Sequence, residues 1–197
     1  MTETKKIVLC GLTHSGKSTI RKWLFNEITD LTETKLPTTI DYETHTQLEN
    51  NTEIVFWDLG GAPTFFDRCV GREPDLDISS MIFTGMDTLI YVVDSIEIKE
   101  ITQSRNYLKA CLEKTTKHSP MAAIFILQHK IDLIPTKMRE EVCHTIKEYL
   151  FKDITQHLWY YETSMLNSSI VVAMCAVYHA TLGYIPNNLI PEPLRKA

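Results

Sequence analysis

The sequence lacks the features that carry a chain into or onto a membrane. It has no apolar run long enough to cross a bilayer, and residues 1–6 do not form a signal peptide. Position 2 holds Thr2 where myristoylation needs glycine, and residues 194–197 contain no cysteine for prenylation. We therefore expect a cytoplasmic protein without a direct membrane anchor, so that any recruitment to a membrane would come through a partner.

Basic residues are too few and too dispersed for a nucleic-acid-binding protein. The chain carries 20 Lys and Arg against 25 Asp and Glu, a formal net charge of -5, and no basic cluster stands out. Its five cysteines are odd in number and widely spaced, at Cys10, Cys69, Cys111, Cys143 and Cys175. This spacing predicts reduced, buried thiols of a cytosolic protein rather than zinc ligands or disulfides.

Apolar strand patterns alternate with helical patterns along the chain. Its 197 residues, 44% of them hydrophobic, suffice for one domain with a sizeable core. The predicted strands are Lys6–Cys10, Asp41–Leu48, Thr52–Asp58, Thr88–Asp94, Ala122–His129 and Leu158–Glu162. The predicted helices are Lys17–Ile28, part of Phe65–Phe83, Ile98–Lys117, Lys137–Phe151 and Ser168–Leu182.

This order of elements predicts an α/β fold. With a hairpin near residues 49–51, it corresponds to a six-stranded, mainly parallel sheet with one antiparallel strand and helices on both faces. We assign residues 1–185 to this domain and residues 186–197 to a proline-containing tail.

The most informative segment is Gly11 to Ser18, which reads Gly-Leu-Thr-His-Ser-Gly-Lys-Ser directly after a predicted strand. This pattern is typical of a phosphate-binding loop, whose backbone N–H groups converge on phosphate oxygens; the alternative is a plain glycine turn. Lys17 would reach the outer phosphates, and the Ser18 hydroxyl would ligate Mg²⁺. The next helix points its positive end at the same anion. The predicted nucleotide contacts in this segment are Thr13, His14, Ser15, Gly16, Lys17, Ser18 and Thr19.

A second segment, Asp58 to Gly61, ends the predicted third strand. Ligands of parallel sheets bind beyond the C-terminal ends of the strands, so Asp58 would face Ser18 and hold Mg²⁺ through water. Gly60 has no Cβ, which would let its N–H approach a γ-phosphate, and we place Gly61 in the same site. The alternative is a simple Asp-x-Gly-Gly turn.

Two further segments that follow strands predict recognition of guanine. The residues concerned are His129, Lys130, Asp132, Thr163, Ser164 and Met165. The carboxylate of Asp132 can accept hydrogen bonds from both N1–H and N2–H₂ of guanine, a pair that adenine does not offer. The stem of Lys130 would cover the base, and a backbone N–H of residues 163–165 would meet guanine O6. Four such segments favour a guanine-nucleotide-binding protein over ATP-dependent kinases or transporters.

These motifs resemble those of the Ras superfamily of small GTPases, and in particular the GTPase domain of the Rag/Gtr family. The resemblance rests on the phosphate-binding loop and on residues 37–43, 57–61, 89–94 and 128–133. A histidine before Lys130, where most small GTPases carry asparagine, and the Thr-Ser pair at 163 and 164 are typical of Rag proteins. Similarity extends over nearly the whole chain. Arf-like GTPases share the Trp-Asp-x-Gly-Gly pattern and are the nearest alternative.

The resemblance implies a molecular switch that binds GTP or GDP with Mg²⁺ and hydrolyses GTP. Thr39, next to Thr38, would be the switch I threonine that reaches Mg²⁺ and the γ-phosphate. Residues 30–45 and 60–84 would be the two switches. Expected partners are activating and exchange factors, effectors, and either a roadblock-type scaffold protein or another GTPase subunit. Rag proteins carry a roadblock-type second domain, which we do not find after residue 185.

One position departs from the family pattern. Small GTPases carry a water-orienting glutamine directly after the second switch glycine, and this chain carries Ala62. A methyl group cannot orient water, so we expect a low intrinsic rate of hydrolysis. Residues 30–45 contain no arginine, and we expect Arg68 and Arg72 to be solvated. The predicted catalytic residues are Lys17, Thr39, Gly61 and Ala62, and the predicted metal ligands are Ser18, Thr39 and Asp58. The alternative function is a nucleotide-locked scaffold module without turnover.

Overall fold

Six strands form one mixed sheet. The computed structural model describes residues 3–28, 39–71, 75–186 and 189. The strands are β1 (Glu3–Cys10), β2 (Tyr42–Glu49), β3 (Thr52–Leu59), β4 (Thr88–Asp94), β5 (Ala123–His129) and β6 (Trp159–Thr163). Their order across the sheet is β2-β3-β1-β4-β5-β6, with β2 and β3 antiparallel and every other pair parallel. The predicted mainly parallel sheet with one antiparallel strand is thereby confirmed.

The helices follow the predicted positions, with ends that shift by one to four residues and with one predicted pattern divided into two helices. They are α1 (Lys17–Leu24), α2 (Pro63–Val70), α3 (Leu76–Phe83), α4 (Ile101–His118), α5 (Thr136–Phe151) and α6 (Ser169–Leu182). α1 ends before the predicted Ile28, and the chain turns at Asn26, which has a left-handed φ of 54°. The pattern within residues 65–83 resolves into α2 and α3, because Asp75 caps α3 by accepting hydrogen bonds from the N–H groups of Asp77 and Ile78, both at 3.2 Å.

A two-residue hairpin joins β2 to β3, as predicted. Asn50 and Asn51 have φ values of 45° and 73°, the pair of positive angles that a type I′ turn requires. The turn sets the register of the two strands, in which Glu43 lies opposite Asp58. These two carboxylates therefore stand on the same face of the sheet.

Each face of the sheet packs against its own hydrophobic core. Successive residues of a strand point to opposite faces. Val8 and Tyr91 accordingly enter the core under α2, α3, α4 and α5, whereas Leu9 and Val92 enter the core under α1 and α6. Helices on both faces were predicted from the alternating pattern.

Several other expectations can be compared with the structure. All five cysteines are free thiols; Cys10, Cys69, Cys111 and Cys143 are buried as predicted, whereas Cys175 is only partly buried. Of the tail predicted over residues 186–197, only 186 and 189 are described, and Leu189 packs against the core under α1 and α6. Within the described ranges, none of the helices combines the length and the apolarity that a membrane span requires.

Candidate functional site

Four polar segments meet at one edge of the sheet. β1, β3, β5 and β6 run in the same direction, so the segments that follow them emerge on the same side. Ligands of parallel sheets bind at this edge. The segments are residues 11–18, 58–61, 129–132 and 163–165.

The loop between β1 and α1 needs its glycines. Gly11 has a φ of 144°, and a Cβ there would lie 2.2 Å from the carbonyl oxygen of Val92. Gly16, with a φ of 103°, is the N-cap residue of α1, and no side chain caps this helix. The unpaired N–H groups of its first turn therefore face the loop. The N–H of Thr13 donates to Gly61 O at 3.1 Å, which joins the loop to the end of β3.

Lys17 is folded back into the loop. Its side chain is buried, with only 5% of the residue exposed. The ammonium donates to Gly11 O at 2.9 Å and to Leu12 O at 2.8 Å. Burial lowers the pKa of Lys17 to about 8, and the nearby carboxylate of Asp58 opposes this shift. Beside it, the buried Oγ of Ser15 has no hydrogen-bond partner among the described residues.

Asp58 is fully buried, yet neither of its carboxylate oxygens has a well-formed hydrogen bond to the described residues. Burial raises the pKa of Asp58, while the neighbouring Ser18 hydroxyl and the charges of Lys17 and Arg21 lower it. The hydroxyl oxygens of Ser18 and Thr39 lie 3.3 Å apart. The structure thus brings the three predicted metal ligands to one side of the loop.

These donors fit Mg²⁺ rather than a transition metal. The described residues contain no group of three or more His, Cys, Asp or Glu side chains placed to hold a metal. Mg²⁺ instead prefers oxygen ligands, and it commonly binds through one carboxylate together with hydroxyls, waters and phosphate oxygens of a substrate. A buried carboxylate beside the Ser18 hydroxyl, which is itself 3.3 Å from the Thr39 hydroxyl, matches that requirement.

The two glycines after Asp58 allow close backbone contacts. The N–H of Gly60 donates to Asp41 O at 2.6 Å. A Cβ on Gly60 would lie 2.6 Å from Ile40 O, and a Cβ on Gly61 would lie 2.2 Å from Thr13 N. The segment that contains Thr39 and the phosphate-binding loop are therefore both packed against the end of β3.

Ala62 directly follows this contact and is the N-cap residue of α2. Its carbonyl oxygen accepts hydrogen bonds from the N–H groups of Phe65 and Phe66 at 3.1 and 3.0 Å. Its φ of -66° and ψ of 136° are extended, and Pro63 begins the helix. The start of α2 therefore fixes the backbone at position 62, where the side chain is a methyl group.

His129 joins three of the segments. It is 2% exposed, and its Nδ1 lies 2.9 Å from Oγ1 of Thr163. Its ring lies directly against Gly16, where a Cβ would approach Cδ2 to 2.5 Å. Burial, with the positive charge of Lys130, lowers the pKa of His129 to about 4. The imidazole is therefore neutral near pH 7 and acts in packing and hydrogen bonding.

Lys130 connects the next loop to its neighbours. It adopts a left-handed φ of 64°, and its ammonium donates to His14 O at 2.5 Å and to Asp94 Oδ2 at 2.6 Å. Asp132 lies in the short 3₁₀ turn that follows and is partly exposed. The carboxylate predicted to read the base is therefore open to the solvent at the ligand edge.

The segment after β6 is tightly organised. Thr163 and Ser164 are fully buried. The N–H of Ser164 donates to Ser169 Oγ at 2.9 Å, and its own Oγ accepts from the N–H of Leu166 at 3.0 Å. Met165, between Ser164 and Leu166, is partly exposed. The remaining predicted contact residues lie at the same edge, with His14 exposed and Thr19 partly exposed.

The sequence patterns did not identify two polar residues of this region. Asp94, at the end of β4, binds Lys130, and Arg21, on α1, lies with its Nε 3.9 Å from Asp58 Oδ2. Asp94 ends a strand of the same edge, and Arg21 lies one helical turn after Lys17, so both positions carried a signal. Arg68 is half exposed and lies 3.3 Å from Asp41 Oδ1. Residues 29–38, which include Thr38, and Arg72 lie outside the described residues.

Comparison with known proteins identifies the family. The conserved region described as "Gtr1/RagA G protein" matches residues 6–190. The chain belongs to this Rag/Gtr family of G proteins. It is 33% identical to GTP-binding protein gtr1 of Schizosaccharomyces pombe over 170 residues, which cover 84% of this chain and 51% of that protein. It is 29% identical to GTP-binding protein GTR1 of Saccharomyces cerevisiae over 188 residues, 93% of this chain and 58% of that protein.

The Rag/Gtr chain spans about half the length of the curated relatives that it matches. Among solved structures, the Arl6 BBS3 small GTPase from Trypanosoma brucei with bound nucleotide analogue GppNp superimposes with a TM-score of 0.64. That alignment covers 89% of this chain and 96% of the other, at 19% identity. The likeness shows the small-GTPase fold, with its phosphate-binding loop, and confirms the predicted fold class.

Proposed function

We propose that this Rag/Gtr chain is a guanine-nucleotide switch that binds GTP or GDP with Mg²⁺ and hydrolyses GTP slowly. The observation that carries the proposal is the buried carboxylate of Asp58, which has no well-formed hydrogen bond and neighbours Ser18, whose hydroxyl lies 3.3 Å from that of Thr39. The charges of Lys17 and Arg21 offset part of the cost of burying this carboxylate, but its oxygens still lack well-formed hydrogen bonds, which a ligand would supply. A Mg²⁺ ion beside nucleotide phosphates would supply that compensation.

The phosphate-binding loop would take the β- and γ-phosphates. Lys17 would exchange its two carbonyl acceptors for phosphate oxygens, and the uncapped first turn of α1 would add its N–H groups. The N–H of Gly60 is held by Asp41 O in the present structure, so its contact with a γ-phosphate would require that bond to be exchanged. Bound Mg²⁺ would neutralise charge on the phosphates and orient them.

The guanine base would bind between the loops after β5 and β6. Asp132 would accept the base N1–H and N2–H₂, with the stem of Lys130 against the base face. Because Ser169 already accepts the N–H of Ser164, we assign the contact with guanine O6 to the N–H of Met165. His129 and Thr163 would hold these loops against Gly16 rather than touch the base.

Hydrolysis would be slow because of Ala62. In small GTPases the glutamine at this position orients the attacking water through its side-chain amide, whereas the methyl group of Ala62 forms no hydrogen bond with water. The same residue supports a second function, a nucleotide-locked interaction module that binds GTP or GDP without useful turnover. Under either function, regulators, effectors and a roadblock-type scaffold or second GTPase subunit remain proposed partners. A cytoplasmic location with recruitment to membranes through such partners is likewise proposed.

Three measurements test the proposal. The nucleotide that co-purifies with the protein, identified by chromatography after denaturation, should be GDP or GTP. Single-turnover hydrolysis with Mg²⁺ should then exceed the uncatalysed decay of GTP, alone or with an activating protein. Binding of ATP as tight as that of GTP would contradict the guanine site. Hydrolysis equal to uncatalysed decay under every condition would support the locked module.

A further inference from the structure

A buried arginine behind the proposed metal site contacts three carboxylates. The Arg21 side chain is 3% exposed. One terminal nitrogen forms an ion pair with Glu27, the other lies 3.4 Å from Glu43 Oε2, and Nε lies 3.9 Å from Asp58 Oδ2. A buried guanidinium is costly unless its charge is paired, and here three carboxylates surround it.

Arg21 separates two carboxylates that would otherwise repel each other. Glu43 on β2 and Asp58 on β3 are directly opposite in the antiparallel pair and share a face. The guanidinium contacts both carboxylates, so its positive charge offsets the repulsion between the two strands at this position.

The geometry leaves Asp58 available to a ligand. At 3.9 Å, Nε is beyond hydrogen-bond distance, so Arg21 compensates the charge of Asp58 without occupying its lone pairs. The hydrogen bonds of Arg21 go to Glu27 and Glu43. Glu43 belongs to the segment that begins with Thr39, whose Asp41 is tied to Gly60. Arg21 therefore contacts both strands next to the proposed metal site: β2 through Glu43 and β3 through Asp58.

The geometry points to Arg21 as a positioning residue, which acts through Glu43 to hold Thr39 and Asp58 at the spacing that Mg²⁺ and a triphosphate require. This inference rests on the proposed function. Thr39 is expected to reach the metal only with GTP, whereas Asp58 serves both nucleotides. Loss of Arg21 should therefore weaken the GTP state with Mg²⁺ more than the GDP state.

Nucleotide release provides the test. Protein loaded with a fluorescent GDP or a fluorescent non-hydrolysable GTP analogue is mixed with excess unlabelled nucleotide, in Mg²⁺ or in EDTA. Arg21→Met should release the GTP analogue roughly tenfold faster in Mg²⁺, as expected for loss of a charge-assisted contact. The increase should be smaller for GDP and absent in EDTA. Arg21→Lys, which keeps the charge, should recover part of the loss.

Because Arg21 is buried, a second variant keeps the test decisive. Glu43 is half exposed, so Glu43→Gln should fold and should release the GTP analogue roughly threefold faster in Mg²⁺. Glu53→Gln, at the far end of β3, is the matched control and should behave as the wild type.

Three outcomes would overturn the inference. Arg21→Met could accelerate release equally with and without Mg²⁺ and for both nucleotides, which would mark a purely structural role. Glu43→Gln could release the GTP analogue at the wild-type rate. Finally, a wild-type protein that shows no Mg²⁺-dependent nucleotide binding would overturn the proposed function itself, and this inference with it.

Discussion

The burial of Lys17 predicts how the nucleotide-free protein responds to pH. Its pKa falls from 10.5 to about 8 because the residue is buried, with 5% exposed, and its ammonium contacts only neutral carbonyl groups at hydrogen-bond distance. At about 1.4 kcal/mol per tenfold change, this shift corresponds to roughly 3 kcal/mol. The unfolded chain binds the proton more tightly, so the free energy of unfolding rises with pH between about 8 and 10.5. Below that window the destabilisation is complete.

The substitution Lys17→Met removes this titration. The difference in free energy of unfolding between wild type and variant should therefore change by about 3 kcal/mol between about pH 7 and about pH 10, in favour of the wild type at the higher pH. For a chain of this size the same change is roughly 6–12 °C in relative melting temperature. Both values are upper limits, because solvent entering the loop would reduce them.

Urea unfolding of nucleotide-free protein at the two pH values gives the measurement. Comparing wild type with variant cancels the titration of the groups that do not interact with Lys17, and Lys22→Met, on the same helix, corrects for the loss of one lysine. Parallel stability curves for wild type and Lys17→Met would refute the burial of this charge. As an independent check, nucleotide binding near pH 9 should take up about one proton, visible as a buffer-dependent heat, since phosphate returns Lys17 to its charged form.

Three further predictions concern the remaining parts of the site. Asp132→Asn should weaken GDP binding by about a hundredfold or more. It should improve binding of xanthosine diphosphate, because O2 of that base can accept a hydrogen bond from the new amide. Equal loss of binding for both nucleotides in a displacement assay would contradict the role of Asp132 in recognising the base. Ala62→Gln should accelerate single-turnover GTP hydrolysis roughly tenfold or more, and an unchanged rate would show that more than this side chain is missing. Gly16→Ala should lower the free energy of unfolding by about 2–4 kcal/mol, since its Cβ would meet the His129 ring at 2.5 Å. Gly183→Ala, at a φ of 80° with open space around it, should cost only about 1 kcal/mol in the same denaturation experiment, and equal losses would argue against the contact.

Local sequence patterns predicted the framework of this protein well. The strand, loop and helix around Gly11 to Lys17 follow from an apolar run, two glycines and a helical pattern, all within a few residues. The hairpin at Asn50 and Asn51 is equally local, because both residues tolerate positive φ. Helix ends were less predictable: α1 stops at Leu24, although residues to Ile28 continue the helical pattern.

In the candidate site, too, local patterns predicted some residues, and contacts between distant elements decided the others. Asp58, the Ser18 hydroxyl and the two lysines were found from the sequence because their segments lie at or after the ends of strands, and parallel strands bring such positions to one edge. Thr39, which precedes β2, was assigned from the family resemblance. Arg21 was missed because its pairing with Glu43 and Asp58 depends on how α1 packs against the hairpin of β2 and β3, which is distant in the chain. The packing of His129 on Gly16 joins residues far apart in the chain, and no spacing rule reports it.

The sequence by itself determined the fold class and the position of the phosphate-binding loop, and it shows Ala62 where small GTPases carry glutamine. Each of these depends only on residue type and on near neighbours in the chain. The tertiary structure alone decided that Lys17 folds onto its own loop, that Asp58 is buried without hydrogen bonds, and that Arg21 compensates it. Burial and charge pairing arise only when distant elements pack together, and these set the cost of an ionised group.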